Sequence, residues 1–427
     1  MSRSLVVIFI AIVLDAVGIG LIFPILPALL RDVVHSDNVA PYIGVMTALY
    51  AVMQFIFAPV LGALSDRIGR RPVLLISLAG AAVNYLFLAC APNLGLLLLG
   101  RAIAGLTSAN TSVAAAYITD VSAPDQRARR FGLMNAMFGI GFIIGPVLGG
   151  ALGDHGVRLP FIAAALLNGC NLLLALFMLP ESRTPSGEAF LELKRRMAPR
   201  NGSGGPLPAA SGDESNSSPL DLRVLNPLRP LRWVFAMKGL LPFVALFFVF
   251  SATGEAYGTC WALWGHDAFQ WNGLWIGLSL GAFGVCQTLS QAFLPGPAVK
   301  LLGERGAVLT GVAGACVALT VMAFATKGWM VFVIMPVFAL GGIGVPALQS
   351  LASRQVGEDQ QGQFQGVLAS AVSLASIAAP LGFSSVYFAV RAQWPGAVWL
   401  SVVGVYVVAG LLVLRIRRPE APVKEVS

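Results

Sequence analysis

Runs of about 20 apolar residues, the length an α-helix needs to cross the hydrocarbon core of a bilayer, recur twelve times along this chain of 427 residues. The expected spans cover 5–30, 42–64, 72–91, 94–120, 131–153, 159–179, 239–264, 274–294, 306–325, 329–350, 366–389 and 398–414. Backbone in hydrocarbon has no water to bond, so it must be helical or closed into a barrel, and runs of this length select helices. With 57% hydrophobic and 11% charged residues, the chain is too apolar for a soluble domain. The fold class expected is an all-α membrane protein with twelve transmembrane helices. The first run reads as a span and not a cleaved leader: Leu5 to Leu30 is too long, holds Asp15 and leads into no small-residue cleavage site. Cys90, Cys170, Cys260, Cys286 and Cys316 lie in apolar runs without metal-site spacing and are expected to be small buried hydrophobes.

One polar stretch, 180–238, divides the spans six and six, and within it NGSGGPLPAASGDESNSSP (201–219) has the composition of a disordered linker. The expected organisation is a six-helix bundle over 1–180, a partly disordered linker over 181–238, and a second six-helix bundle with a short tail over 239–427. If the N-terminus is cytoplasmic, the inside segments carry 23 of the 28 Lys and Arg, and the outside only Arg31, Arg158, Lys327 and Arg391, with Arg101 inside a span. The positive-inside bias therefore places both termini and the linker in the cytoplasm. It also accounts for the net charge of +8 without nucleic acid as a partner.

The halves are related by an offset of 234 residues: GALSDRIGRRP (62–72) lies over GPAVKLLGERG (296–306), APDQ (123–126) over GEDQ (357–360), Gly132 over Gly366 and Pro146 over Pro380. Six spans are an even number, so the copies share one orientation and form a parallel repeat about an axis along the membrane normal.

In GALSDRIGRRP the glycines permit a tight turn and close helix approach. Asp120, at the end of the fourth span, is the partner expected for Arg70, and the positive N-terminal end of the eleventh span near Gly366 is the seat expected for Asp66. The offset sets Lys300 and Arg354 opposite Asp66 and Asp120 with the signs reversed. Gly62, Asp66, Gly69, Arg70 and Asp120 are accordingly read as a cytoplasmic gate, a charge latch that holds the outward-open state and breaks in the inward-open one. Arg67, Arg71, Arg129 and Arg130 read as solvated charges that orient the chain. In GFIIGPVLGG (141–150), Gly141, Gly145, Gly149 and Gly150 give a smooth helix face and Pro146 a kink. Close packing in any helix bundle would use the same residues.

With LGRAIAGLTSA (99–109), GGIGVPALQ (341–349) and SRQVGEDQQGQFQG (353–366), these motifs resemble the major facilitator superfamily, and within it the bacterial tetracycline/proton antiporters. The resemblance covers nearly the whole chain outside the linker and tails. It implies two six-helix pseudo-repeats in the bacterial inner membrane, rocker-switch alternating access, and proton-driven drug efflux. It also implies that the fifth helix, through Gly141, Gly145, Pro146 and Gly149, packs closely enough to limit leak.

Asp15 stands in the middle of the first span, where a carboxylate costs about 2.5 to 3.5 kcal/mol even on the lenient insertion scale. It must face protein or water, and intramembrane acids mark ion or substrate paths; the alternative is a structural bond to a neighbouring helix. Arg101 fits the superfamily's embedded arginine and would be an electrostatic partner for such an acid; equally, it can snorkel to the nearer interface. Glu255 is the one acid well inside the second-half spans, either a second proton carrier and binder of a substrate cation or a residue of the periplasmic mouth. Tyr257, Trp261 and Trp264 beside it read as cavity aromatics or as an interfacial belt. Proton coupling is thus assigned to Asp15, Glu255 and Arg101, and substrate binding to Asp15, Asn84, Glu255 and Gln287.

The tetracycline branch has further acids in the third and ninth helices, where this chain has Asn84 and Ala315. Asn84 can bond a polar ligand but cannot titrate. There is no phosphate-binding GxxxxGK[ST] loop, no nucleophile with a base and no metal-ligand cluster. His35, His155 and His266 all fall in expected periplasmic loops. The expectation is a monomeric exporter, not an enzyme, with protons, a small-molecule drug and lipid as its partners. It needs no metal or cofactor of its own, the substrate entering bare or as a divalent-metal chelate. Export of another amphiphile and proton-coupled nutrient symport are the competing readings, ahead of a membrane enzyme or sensor.

Overall fold

The computed structural model describes residues 3–182, 240–353 and 361–415. The linker, Arg354 and most of the C-terminal tail lie outside them. Among the described residues every regular element is helical.

The first expected span is two helices, α1 (Arg3–Ile22) and α2 (Leu26–Val34). Pro24 lies in the turn between them and has no N–H to continue the helix. Next come α3 (Ala40–Ile68) and α4 (Arg70–Cys90), parted by Gly69 alone, then α5 (Leu94–Thr107), α6 (Asn110–Asp120), α7 (Pro124–Gly153) and α8 (Leu159–Met178). The second half holds α9 (Leu241–Phe269), α10 (Gly273–Phe293), α11 (Pro295–Ala323), α12 (Gly328–Ala339), a 3₁₀ turn over Leu340–Ile343, α13 (Gly344–Ser353), α14 (Gln361–Val390) and α15 (Ala397–Arg415). Eleven stretches among the described residues are long and apolar enough to cross a membrane. The twelfth expected span, 94–120, is split between Thr107 and Asn110 into α5 and α6. The run LTSANTS explains the split: short polar side chains compete with the helix for its own backbone bonds, and the Ser108 hydroxyl is engaged instead by Tyr50 at 2.7 Å and Gln54 at 3.0 Å.

The repeat is visible in the backbone. Gly69 (φ 103°) and Gly303 (φ 70°), which the 234-residue offset superposes, are the two positive-φ glycines among the described residues. Both mark the turn into the next span, a conformation strained for any residue with a Cβ.

The halves cross where the repeat sets proline against glycine. Pro146 lies inside α7 and Pro380 inside α14. A Cβ added to Gly277 of α10 would fall 2.1 Å from the carbonyl oxygen of Pro146, and one added to Gly44 of α3 would fall 2.8 Å from that of Pro380. So α7 meets α10, and α3 meets α14, backbone against backbone.

At the end away from the chain termini the halves are tied together, as described below. At the terminal end, Gly62, Gly132, Gly296 and Gly366 all face open space.

Two expectations change here. Trp261, Trp264 and Trp399 are at most 2% exposed, and Tyr257 stacks on Trp399 with ring centroids 5.5 Å apart. These aromatics form the inner core of the second half, not a cavity wall or an interfacial belt. Of the cysteines, Cys260 is buried, Cys286 and Cys316 are intermediate, and Cys90 and Cys170 lie on the outer surface. The outer surface of a spanning bundle is itself apolar, so hydrophobicity alone does not sort a thiol inward.

Overpacking a tight contact costs about 1–3 kcal/mol. Gly277→Leu is therefore expected to lower the thermal midpoint of the purified protein and abolish transport, whereas Gly404→Leu, at a position facing open space, is expected to leave both unchanged.

Candidate functional site

The break between α5 and α6 organises the polar groups of the first half. Asn110, the first residue of α6, donates from Nδ2 to Asp15 Oδ1 at 3.0 Å. Asp15 is 8% exposed and borders a cavity of about 690 Å³, counting its open mouth, walled mainly by apolar residues such as Ile12, Leu78, Ala114 and Phe138 with Asn110 and Asn135 as its amides. Asn171 of α8 donates to the Ala11 carbonyl at 3.0 Å, fixing α1 one turn away. Asn110 was missed in the sequence; the signal was present in the polar run that interrupts the fourth span.

Arg101 sits in the middle of α5, about 10 Å along the helix from its start, with its guanidinium carbon 4.6 Å from the centre of the Tyr50 ring. Its Nε is buried without an acceptor, and neither Asp15 nor Arg101 makes an ion pair with any described residue. Asn84, on α4, is buried with Oδ1 unpartnered. Gly100 packs against this same amide: a Cβ there would lie 3.5 Å from Asn84 Oδ1.

In the second half Glu255 is the central residue of α9, well away from either mouth. It is half-buried and accepts a 2.6 Å bond from Ser376 of α14. Gln287 of α10 packs against Gly342 in the 3₁₀ turn, away from the Asp15 cavity. Gly342 carries no side chain at that contact, so α10 and the turn approach closely.

At the terminal end Arg70 is buried between acids, with Asp66 at 2.8 Å and Asp120 at 3.1 Å, and donates to Ser65 Oγ at 2.7 Å. Glu181, after α8, accepts from the backbone N–H groups of Arg70 and Arg71 at 2.8 and 3.1 Å and so caps α4. All these residues belong to the first half. The side chains that would seat Asp66 at the start of α14 lie outside the described residues, as does Arg354, while Lys300 is exposed. The glycines of α7 do two things: Gly141, Gly145 and Gly149 press on α1 at Ala16, Val17 and Leu21, while the opposite side meets α10.

The far end holds a second charge cluster that sequence reasoning missed. Asp267, in the last turn of α9, pairs with Arg391 at 3.0 Å and Arg31 at 3.7 Å and accepts from the Tyr387 hydroxyl at 2.8 Å. His266 therefore lies in a helix rather than a loop, its Nδ1 3.2 Å from Asp267. Asp154, just past α7, accepts from the N–H groups of Gly273 and Leu274 at 2.8 and 3.2 Å and so caps α10 across the halves. Arg31 and Asp154 have partners more than a hundred residues away in the chain, so no local spacing announces them.

Buried acids and a cation between helices long and apolar enough to cross a membrane, in two related halves tied together at one end, define a membrane carrier and not an enzyme. Among the described residues no group of His, Cys, Asp and Glu could hold a metal ion. The chain matches the Major Facilitator Superfamily over residues 8–264 and 246–427, and it belongs to that superfamily. It is 46% identical over 407 residues to the class C tetracycline resistance protein of Escherichia coli, covering 95% of each chain. It is 44% identical to the class G tetracycline resistance protein of Vibrio anguillarum, covering 94% of each. The crystal structure of the nucleoside transporter NupG superposes with a TM-score of 0.75 over 97% of this chain and 99% of that one, at 13% identity, which speaks for the fold.

Asp267→Asn weakens the charge that holds Arg31 and Arg391 together. The sealed end is then expected to open more often. A cysteine placed at buried Ser384, beside Gly44, is expected to react with maleimide about tenfold faster, the factor given by ~1.4 kcal/mol of lost closure. Unchanged labelling would mean that the cluster does not hold the seal.

Proposed function

We propose that this protein exports a tetracycline or a similar amphiphilic drug from the cytoplasm in exchange for protons, by rocker-switch alternating access. The observation that carries the reading is Asp15: a buried carboxyl at helix centre, held by one amide and facing a cavity, in a chain nearly half identical to a tetracycline resistance protein. Such a group carries a proton on one part of the cycle and a charge on another, so proton and substrate compete for it. Glu255, with its single hydroxyl partner, is the corresponding group of the second half.

The excess of Lys and Arg at the terminal end supports cytoplasmic termini in the inner membrane. The conformation described is then inward-open, the state that loads an exporter. The halves 1–180 and 239–427 move as two bundles joined by the cytoplasmic segment 181–238, and a single chain suffices. Arg70 with Asp66 and Asp120 forms the first half's share of a cytoplasmic gate, which closes as the far-end cluster opens. A proton falling through roughly 150 mV releases about 3.5 kcal/mol, enough for a gradient of roughly 300-fold at one proton per molecule. Asn84 and Ala315, where the tetracycline branch carries acids, favour the second reading, export of a different amphiphile.

Inverted vesicles given an imposed proton gradient test the proposal. The native chain is expected to accumulate tetracycline and Asp15→Asn to abolish the uptake. Gradient-independent uptake, or none by the native chain, would overturn the tetracycline reading.

A further inference from the structure

Arg31 lies in the last turn of α2, in the first half, and His266 in the last turn of α9, in the second. One atom of the histidine faces both signs of charge. Its Nδ1 lies 3.4 Å from Arg31 Nη2 and 3.2 Å from Asp267 Oδ1. A guanidinium can only donate and a carboxylate only accept, so this nitrogen serves one of them at a time. The neutral ring can leave Nδ1 bare and accept from Arg31. The protonated ring carries hydrogen on both nitrogens, donates to Asp267, and meets Arg31 cation to cation. The first bond joins the two halves; the second joins neighbouring residues of one helix. The proton also competes for Asp267 Oδ1, the oxygen that Arg31 approaches at 3.7 Å. It therefore weakens both contacts of Arg31 across the halves.

The charged and titratable groups around His266 are Arg31 from α2, Asp267 on its own helix and, bonded to Asp267, Tyr387 of α14 and Arg391 just beyond it. The last three belong to the second half and stay with His266 when the two bundles separate, whereas Arg31 departs. The open mouth thus holds the proton more tightly than the closed one, and by linkage the proton favours opening by the same factor. A like charge at 3.4 Å opposes it about tenfold even in water-like surroundings. Histidine is the side chain whose ordinary charge change falls between pH 5 and 8, and water reaches His266: its side chain is 42% exposed, against 21% for Arg31 and 12% for Asp267. The Asp154 cap on α10 and the bonds from Arg391 to the Asp37 carbonyl and Asn38 are untouched, so the proton loosens the seal without dissolving it. We infer that His266 is a proton-binding site of the far mouth, whose occupancy releases Arg31 and favours opening. The inference rests on the alternating access proposed above and goes beyond it: with the termini cytoplasmic, acid outside the cell opens the mouth through which protons enter and cargo of any kind leaves.

The test is the distance across that mouth in the purified full chain, without drug. Pro92 and Thr326 are exposed in the turns after α4 and α11, one in each half. Spin labels on Pro92→Cys and Thr326→Cys, in a chain whose five native cysteines are replaced by alanine, report the width. From pH 8 to pH 5.5 the ratio of wide to narrow populations is expected to rise, by up to about tenfold. His266→Gln, which keeps an acceptor for Arg31 and cannot take the proton, is expected to hold the pH 8 distribution at both values. Arg31→Gln is expected to be wider already at pH 8 and to respond no further to acid. No acid response with His266 in place, or the same response in His266→Gln, would overturn the site. With no drug present, a failure of tetracycline uptake leaves this result standing. A single width in every variant would overturn the alternating-access reading, and the site with it.

Discussion

Two helix crossings hold this molecule together, and both depend on the absence of a side chain. Gly277 lies on the carbonyl of Pro146 and Gly44 on that of Pro380. In a bilayer no hydrophobic force drives one helix against another, so contact must come from close packing, and closeness is greatest where one partner has no Cβ. The prolines contribute by freeing backbone groups and bending their helices. The two contacts are related by the internal repeat, so the halves are joined at two equivalent points, and charges tie them again at the far mouth.

On that frame the polar groups form a short series. Asp15, Asn110, Ser108, Tyr50, Gln54 and Arg101 are brought together by one interruption in the fourth span. A continuous helix would have left Ser108 hydrogen-bonded to its own backbone and Asn110 turned elsewhere. The second half contributes less chemistry and more bulk: Tyr257, Trp261, Trp264 and Trp399 pack against one another, and Glu255 is the acid set at helix centre. On the proposed reading the first half carries most of the recognition, and the aromatic core of the second is a stiff wall beside it.

Much of this was legible in the residues, because hydrocarbon leaves a chain few choices. The apolar runs and the 234-residue offset led to the all-helical membrane class and the repeat by rules that need no tertiary information, and eleven of the twelve expected runs recur as stretches long and apolar enough to cross a membrane. The expectations that changed were local or relational. Pro24 cut the first span, and a polar run cut the fourth, where length and hydropathy alone had suggested continuity. The pairing of Asp267 with Arg31 and Arg391 joins residues from three distant helices, and no spacing in the chain announces it. Asn84, Glu255 and Arg101 were recognisable as polar groups in apolar runs, but that Arg101 lies over the Tyr50 ring and makes no ion pair with a described residue is a fact of three-dimensional placement.

The far-end cluster has a consequence of another kind. With the termini cytoplasmic, as proposed, its charges lie at the outer mouth. The Debye length shrinks from about 30 Å at 0.01 M to about 3 Å at 1 M, but partly buried pairs are screened far less than surface ones, and Asp267, Arg391 and Arg31 are only 12%, 14% and 21% exposed. On that reading the seal keeps most of its strength whether the cell sits in brine or in fresh water.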